Sequence, residues 1–145
     1  MAQNPPEGNQ RIVPYLYYDD GPAALEFLCK AFSFEEKLRI ARADGTIMHA
    51  EVGYQGNVVM LGTPENEPGA PRHRDLPVRH SSVMCWVDDV DSHHERARSA
   101  GAIIRSELED KPYGDRSYSA EDPEGHVWHF STHVRDVSPE DMPAA

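Results

Sequence analysis

The second half of this sequence repeats the first at an offset of 69 residues, and this repeat constrains the fold more than any short motif. Pairs of identical residues at this offset include Asp20 and Asp89, Gly45 and Gly114, and Gly56 and Gly125. No gap is needed between these pairs. A repeat of this length predicts one supersecondary unit that is used twice. It also directs the search for a site to positions that the two halves bring face to face.

Each half predicts a strand, a helix and three further strands. In the first half Asp20 suits a helix N-cap and Pro22 suits the first helical turn. The second helix is expected to end at Gly101. The predicted strands are 11–18, 34–43, 46–54 and 58–62 in the first half, and 81–87, 102–108, 115–120 and 126–133 in the second. The expected fold class is α+β, with two βαβββ modules.

The expected domain organisation follows from length and from the distribution of proline. A chain of 145 residues predicts one domain, here 11–134. Module one is 11–62, module two is 80–134, and the Pro-rich segment 63–79 between them is a linker. Polar, Pro-containing ends predict a disordered tail over 1–10 and a poorly packed tail over 135–145.

Composition limits the partners and the compartment. A formal net charge of −11 disfavours nucleic acid, because phosphate binding needs clustered Lys and Arg. No apolar run approaches the roughly 18 residues of a membrane span. The polar N-terminus does not have the apolar core of a secretory signal. Cys29 and Cys85 lie in apolar runs, which favours reduced core thiols. Together these features predict a cytoplasmic protein.

Several motifs carry a resemblance to a known family. Asp122-Pro123-x-Gly125 precedes the last strand, and Asp-Asp precedes each helix. With the paired βαβββ units and the Pro-rich linker, these motifs resemble the vicinal oxygen chelate superfamily of glyoxalase I, bleomycin-resistance proteins and extradiol dioxygenases. The segments that resemble its PhnB-like branch are Tyr15-Leu16-Tyr17, Met48-His49-Ala50-Glu51, Tyr113-Gly114-Asp115-Arg116, Trp128 and Thr132-His133-Val134.

The resemblance implies a half-barrel of curled mixed sheets around a cavity, with helices outside and often a metal ion within. Family ligands come from the first and fourth strands of each module, which here correspond to Val13, Met60, Ser82 and His129. Only His129 suits a divalent ion, because Val and Met do not supply the donors of such sites. We therefore expect no metal and no other cofactor. A divalent metal held by a non-standard ligand set stays open.

The candidates for ligand binding with aromatic or Met side chains lie an even number of residues from Val13 or Ser82, so they point to the same side of their strands as these positions. They are Tyr15, Tyr17, Met84 and Trp86. The resemblance implies that they line the cavity, where aromatic and Met side chains stack a planar ligand. The alternative is that they fill the cavity as ordinary core residues.

Polar candidates are fewer, and each has a structural alternative. His49 and Glu51 share one strand face, so they suit a His–carboxylate pair or a polar surface strand. Arg116 suits a clamp on a ligand carboxylate or phosphate, or a salt bridge. His129 suits an acid/base or polar anchor, or a hydrogen-bonded strand histidine. Ser82 has no context of an activated nucleophile. His93-His94 is predicted to lie on a solvated helix face, and His73 in an exposed linker.

The leading functional prediction is a small-molecule-binding protein of the bleomycin-resistance type, active as a homodimer and without the usual catalytic metal. One alternative is a metal-dependent lyase, isomerase or dioxygenase with a changed ligand set. Another is a metal-free acid/base enzyme that uses His129 on an enolisable substrate. The residue pattern does not decide whether the protein is an enzyme, and it does not identify the ligand.

Overall fold

The computed structural model describes residues 2–65, 70–71 and 73–143. Contacts within the chain divide it into two compact units, Met1–Arg72 and His73–Ala145. Each unit contains one copy of the repeat, and the two are described separately. No helix among the described residues is long and apolar enough to cross a membrane.

The first unit is one four-stranded mixed sheet with one helix. Its elements are β1 (Tyr15–Tyr17), α1 (Gly21–Phe32), β2 (Glu35–Ala41), β3 (Ile47–Tyr54) and β4 (Asn57–Gly62). The strand order is β1-β4-β3-β2. Strand β1 runs parallel to β4, and the other neighbours are antiparallel. Strand β1 is shorter than the predicted strand 11–18, and Pro14 directly before it lacks an N–H for a sheet ladder.

One face of this sheet is covered by α1, and the other carries exposed aromatic rings. The Asp20 carboxylate caps the helix by accepting a hydrogen bond from the Ala23 N–H at 3.0 Å. The buried core combines α1 and the inner sheet face: Leu25, Leu28, Phe32, Ala50, Val52 and Leu61. On β1, Tyr15 and Tyr17 are exposed. Alternation along the strands therefore separates a packed face from an open one.

The second unit repeats this architecture. Its elements are β5 (Val83–Trp86), α2 (Val90–Ser99), β6 (Ile103–Asp110), β7 (Asp115–Glu121) and β8 (Val127–His133). The strand order is β5-β8-β7-β6, with β5 parallel to β8. The predicted α+β fold of two βαβββ modules is confirmed.

The prediction of a solvated face for His93-His94 is wrong. Both residues are buried, together with Val90 and Ala97 of the same helix. The Nδ1 atom of His93 lies 2.6 Å from the Tyr118 hydroxyl. The spacing 90, 93, 94 and 97 is a helical core stripe in which two histidines replace aliphatic residues.

The constant offset of the repeat hides a one-residue shift in the third strands. Glu51 of β3 lies opposite Met60 of β4, whereas Ser119 of β7 lies opposite His129 of β8. Met60 and His129 keep the offset, but Glu51 and Ser119 do not. The turn before β8 is longer and absorbs the difference. The structural counterpart of Glu51 is therefore Ser119 and not Ala120, so a gap is needed after all.

Candidate functional site

Three polar side chains on the open face of the first sheet form a continuous hydrogen-bonded chain. The Tyr15 hydroxyl on β1 lies 3.0 Å from His49 Nδ1 on β3. His49 Nε2 lies 3.0 Å from Glu51 Oε2. His49 and Glu51 point to the same side because they are two residues apart on a strand. The structure thus brings together three of the sequence candidates in one line.

A glycine on the intervening strand makes this chain possible. Strand β4 lies between β1 and β3, so Tyr15 must reach across it. A Cβ atom on Gly62 would lie 3.0 Å from the Tyr15 hydroxyl and 2.9 Å from the Met48 carbonyl oxygen. Any side chain at Gly62 would therefore crowd the path of the Tyr15 ring. No local sequence pattern indicates this role, since Gly62 is predicted only as the end of a strand.

The surroundings of Tyr15 keep its hydroxyl protonated. Burial raises the pKa of Tyr15, and the neighbouring Tyr17 raises it further, whereas Arg42 lowers it. The two tyrosine rings have centroids 5.4 Å apart. Tyr15 is 40% exposed and Tyr17 59% exposed. The open face therefore offers two adjacent aromatic surfaces and a neutral phenol.

A cavity of about 450 Å³ adjoins this face. It is lined by Asn4, Pro5, Pro6, Asn9, Gln10, Arg11, Val13, Glu51 and Met60. The Gln10 side-chain amide holds the N-terminal segment to β4: it donates to the Val58 carbonyl at 2.6 Å and accepts from the Val58 N–H at 2.9 Å. Part of the segment predicted as a disordered tail thus forms a wall of the cavity.

The open face of the second sheet carries Met84, Trp86 and His129, all exposed. Within the described residues the His129 imidazole makes no hydrogen bond or ion pair. Ser82 is exposed and lies just before β5.

Serine hydroxyls form a ladder on the second sheet that sequence reasoning missed. The Oγ atoms of Ser117 and Ser131 are 2.7 Å apart, and those of Ser106 and Ser119 are 2.6 Å apart. Ser119 lies opposite His129 in the sheet register. Serine at alternate positions of β7, Ser117 and Ser119, is the sequence pattern that could have predicted these pairs. These serines occupy the positions of the second sheet that correspond to His49 and Glu51 of the first.

A histidine that lies between two carboxylates is the neighbour of Trp86. The ring centroids of His133 and Trp86 are 6.2 Å apart in an edge-on arrangement. Asp115 and Asp136 each lie 2.7 Å from one ring nitrogen of His133. These hydrogen bonds, that of Asp115 first, raise the pKa of His133. Trp86 therefore lies beside an imidazole whose protonated form the two carboxylates favour.

Arg116 forms ion pairs within the second unit. Its guanidinium lies 2.7 Å from Asp91 and 3.2 Å from Asp110. All groups are partly exposed, so the pairs contribute little to stability. They nevertheless occupy two of the five N–H donors that the guanidinium could offer to a ligand carboxylate.

The donors at the family's metal-ligand positions do not fit a divalent ion. Val13 and Met60 line the cavity of the first unit and offer no oxygen or nitrogen donor. Of the four positions only His129 carries a usual ligand. Within the residues that the structure describes, no group of three or more His, Cys, Asp and Glu side chains is placed to hold a metal ion.

The chain belongs to the Glyoxalase/Bleomycin resistance protein/Dioxygenase superfamily, whose family model matches residues 10–130. This confirms the resemblance drawn from the repeat and the turn motifs. The match spans both βαβββ units and so includes the open faces of both sheets.

Individual relatives agree with this family. The chain is 33% identical over 146 aligned residues to an uncharacterised protein of Mycobacterium bovis, with 92% of this chain and 90% of the relative covered. It is similar to the structure of TioX from Micromonospora sp. ML1, with 37% identity, a TM-score of 0.68, and 85% and 98% of the two chains covered. The fosfomycin resistance protein FosX of Listeria monocytogenes shares the fold at 15% identity, with a TM-score of 0.62 and coverages of 91% and 96%.

Proposed function

We propose that this protein binds a small planar organic molecule on the open face of its first sheet. The observation that carries the proposal is the pair of exposed rings, Tyr15 and Tyr17, on the sheet face whose Glu51 also lines a cavity of about 450 Å³. We also propose that the chain belongs to the PhnB-like branch. Two of the motifs that carry that resemblance, Tyr15-Leu16-Tyr17 and Met48-His49-Ala50-Glu51, supply the proposed site.

Burial distinguishes this face from ordinary core. The rings of Tyr15 and Tyr17 are exposed, whereas Leu61 and Ala50 on the other face of the sheet are fully buried. A planar ligand laid on one ring gains about 0.5–1.5 kcal/mol beyond the area that it buries. The neighbouring cavity has the size of small-molecule sites. The exposed aromatic pair is thus suited to a ligand.

Isothermal titration with planar and cationic antibiotics, bleomycin first, tests this function. We expect saturable binding that weakens in Tyr17→Ala, because that variant removes the more exposed ring. Tyr113→Ala is the matched control, since Tyr113 is an exposed tyrosine of the second unit. Equal weakening in both variants would contradict binding at this face. If none of these antibiotics binds, and if cells that express the protein are not protected from them, the proposed function is contradicted.

We also propose that the chain forms a homodimer. Each described sheet has two edge strands, β1 and β2 in the first and β5 and β6 in the second, and such edges favour pairing or covering. Large apolar side chains on β2, Leu38 and Ile40, are exposed as well. Sedimentation equilibrium should give twice the mass of 16.3 kDa. A monomer at all concentrations would exclude this assembly.

A further inference from the structure

We infer that the Tyr15 hydroxyl is a hydrogen-bond acceptor toward the ligand, so the ligand carries an O–H or N–H donor on its planar ring system. This inference rests on the proposed function and names the chemical class of the molecule bound. It follows from the direction of the hydrogen bonds in the Tyr15–His49–Glu51 chain.

The Glu51 carboxylate determines which atom donates in each hydrogen bond of the chain. An ionised Glu51 can only accept, so the hydrogen between Glu51 and His49 belongs to Nε2. A neutral imidazole has one N–H, so Nδ1 is then an acceptor. The Tyr15 hydroxyl must donate its single hydrogen to Nδ1. Its remaining lone pairs face outward, where they can only accept.

The neighbouring strands of the first sheet determine the position of the Tyr15 hydroxyl. Gly62 leaves the space through which the Tyr15 side chain reaches His49. Tyr15 retains 40% exposure, so a ligand can approach it. The adjacent Tyr17 ring provides the surface for the aromatic part of such a ligand. Tyr15 can thus accept a hydrogen bond from a ligand whose ring stacks on the adjacent Tyr17.

Naphthol and its methyl ether form a probe pair that differs in this one donor. Both stack equally well, so isothermal titration of the full chain isolates the hydrogen bond to Tyr15. We expect naphthol to bind about fivefold more tightly than the ether at neutral pH, which corresponds to one net hydrogen bond. Tyr15→Phe should abolish the difference while both probes still bind. Tyr113→Phe, which removes the hydroxyl of an exposed tyrosine of the second unit, should keep it.

The outcomes separate this inference from the proposed function. Equal binding of both probes to the native chain, or an unchanged preference in Tyr15→Phe, would overturn the inference and leave the function standing. Failure of both probes to bind the native chain would overturn the inference and the proposed function for this class of ligand.

The histidine tautomer gives a second measurement that does not depend on a ligand. We expect nitrogen NMR to show His49 with its hydrogen on Nε2 in the neutral state. Glu51→Gln should mix the two tautomers, because an amide can accept or donate, and should reduce the naphthol preference in parallel. A native His49 with its hydrogen on Nδ1 would overturn the inference.

Discussion

Asp122 is the buried centre of the turn before β8, and its replacement should cost a large share of the folding free energy. Its side chain accepts three hydrogen bonds, each 3.1 Å long: from the N–H groups of Glu124 and His126 to Oδ1, and from the Trp128 indole N–H to Oδ2. Asp122 is only 1% exposed and Trp128 is fully buried.

The magnitude follows from the donors left behind in Asp122→Ala. The N–H of His126 and the indole N–H of Trp128 are buried and would lose this acceptor. Each unsatisfied buried donor costs about 1–3 kcal/mol, so the variant should lose about 2–6 kcal/mol. Since small domains are stable by about 5–15 kcal/mol, the loss is a large fraction of the total.

Urea unfolding followed by tryptophan fluorescence measures this loss. Asp122→Asn is the matched control: its amide oxygen still accepts from the backbone, but its NH₂ group faces the indole N–H. It should therefore lose less than Asp122→Ala. A loss below about 1 kcal/mol in Asp122→Ala, or equal losses in the two variants, would refute the role of the buried carboxylate.

Three further predictions concern titration and metal content. Asp115 and Asp136 raise the pKa of His133, so protonated His133 contributes fully to stability below the ordinary histidine pKa, and this contribution is lost as pH rises through the folded-state pKa. His133→Gln should therefore flatten this part of the dependence of Tm on pH. Burial raises the pKa of the Cys85 thiol to about 11, so iodoacetamide should modify it slowly at neutral pH and rapidly after unfolding. Elemental analysis should find no stoichiometric divalent metal; a metal that is lost in His129→Ala would contradict the unsuitability of the donor set.

The sequence predicted the topology because the repeat is carried by caps and glycine turns. Asp20 and Asp89 both cap helices by accepting a backbone N–H. The same residues could not show the register of the third strands, because a turn of changed length absorbs one residue between Gly114 and Gly125, which keep the offset of 69. The assignment of Ser119 opposite His129 needed the hydrogen-bonded ladder.

The site was predictable only where it depends on alternation along one strand. His49 and Glu51 were paired from their spacing. The contact of Tyr15 with His49 crosses an intervening strand and depends on the missing side chain of Gly62, which no local pattern reveals. Likewise the prediction of a solvated position for His93 is wrong, because its partner Tyr118 is distant in sequence.

Tyrosine side-chain NMR tests ligand binding at the first sheet most directly. The chain has six tyrosines, so ring-labelled protein gives few signals to assign by Tyr-to-Phe variants. On addition of naphthol we predict that the signals of Tyr15 and Tyr17 shift most, in proportion to occupancy, while that of the fully buried Tyr118 stays nearly fixed. Saturable binding that leaves Tyr15 and Tyr17 unchanged would contradict the proposed site.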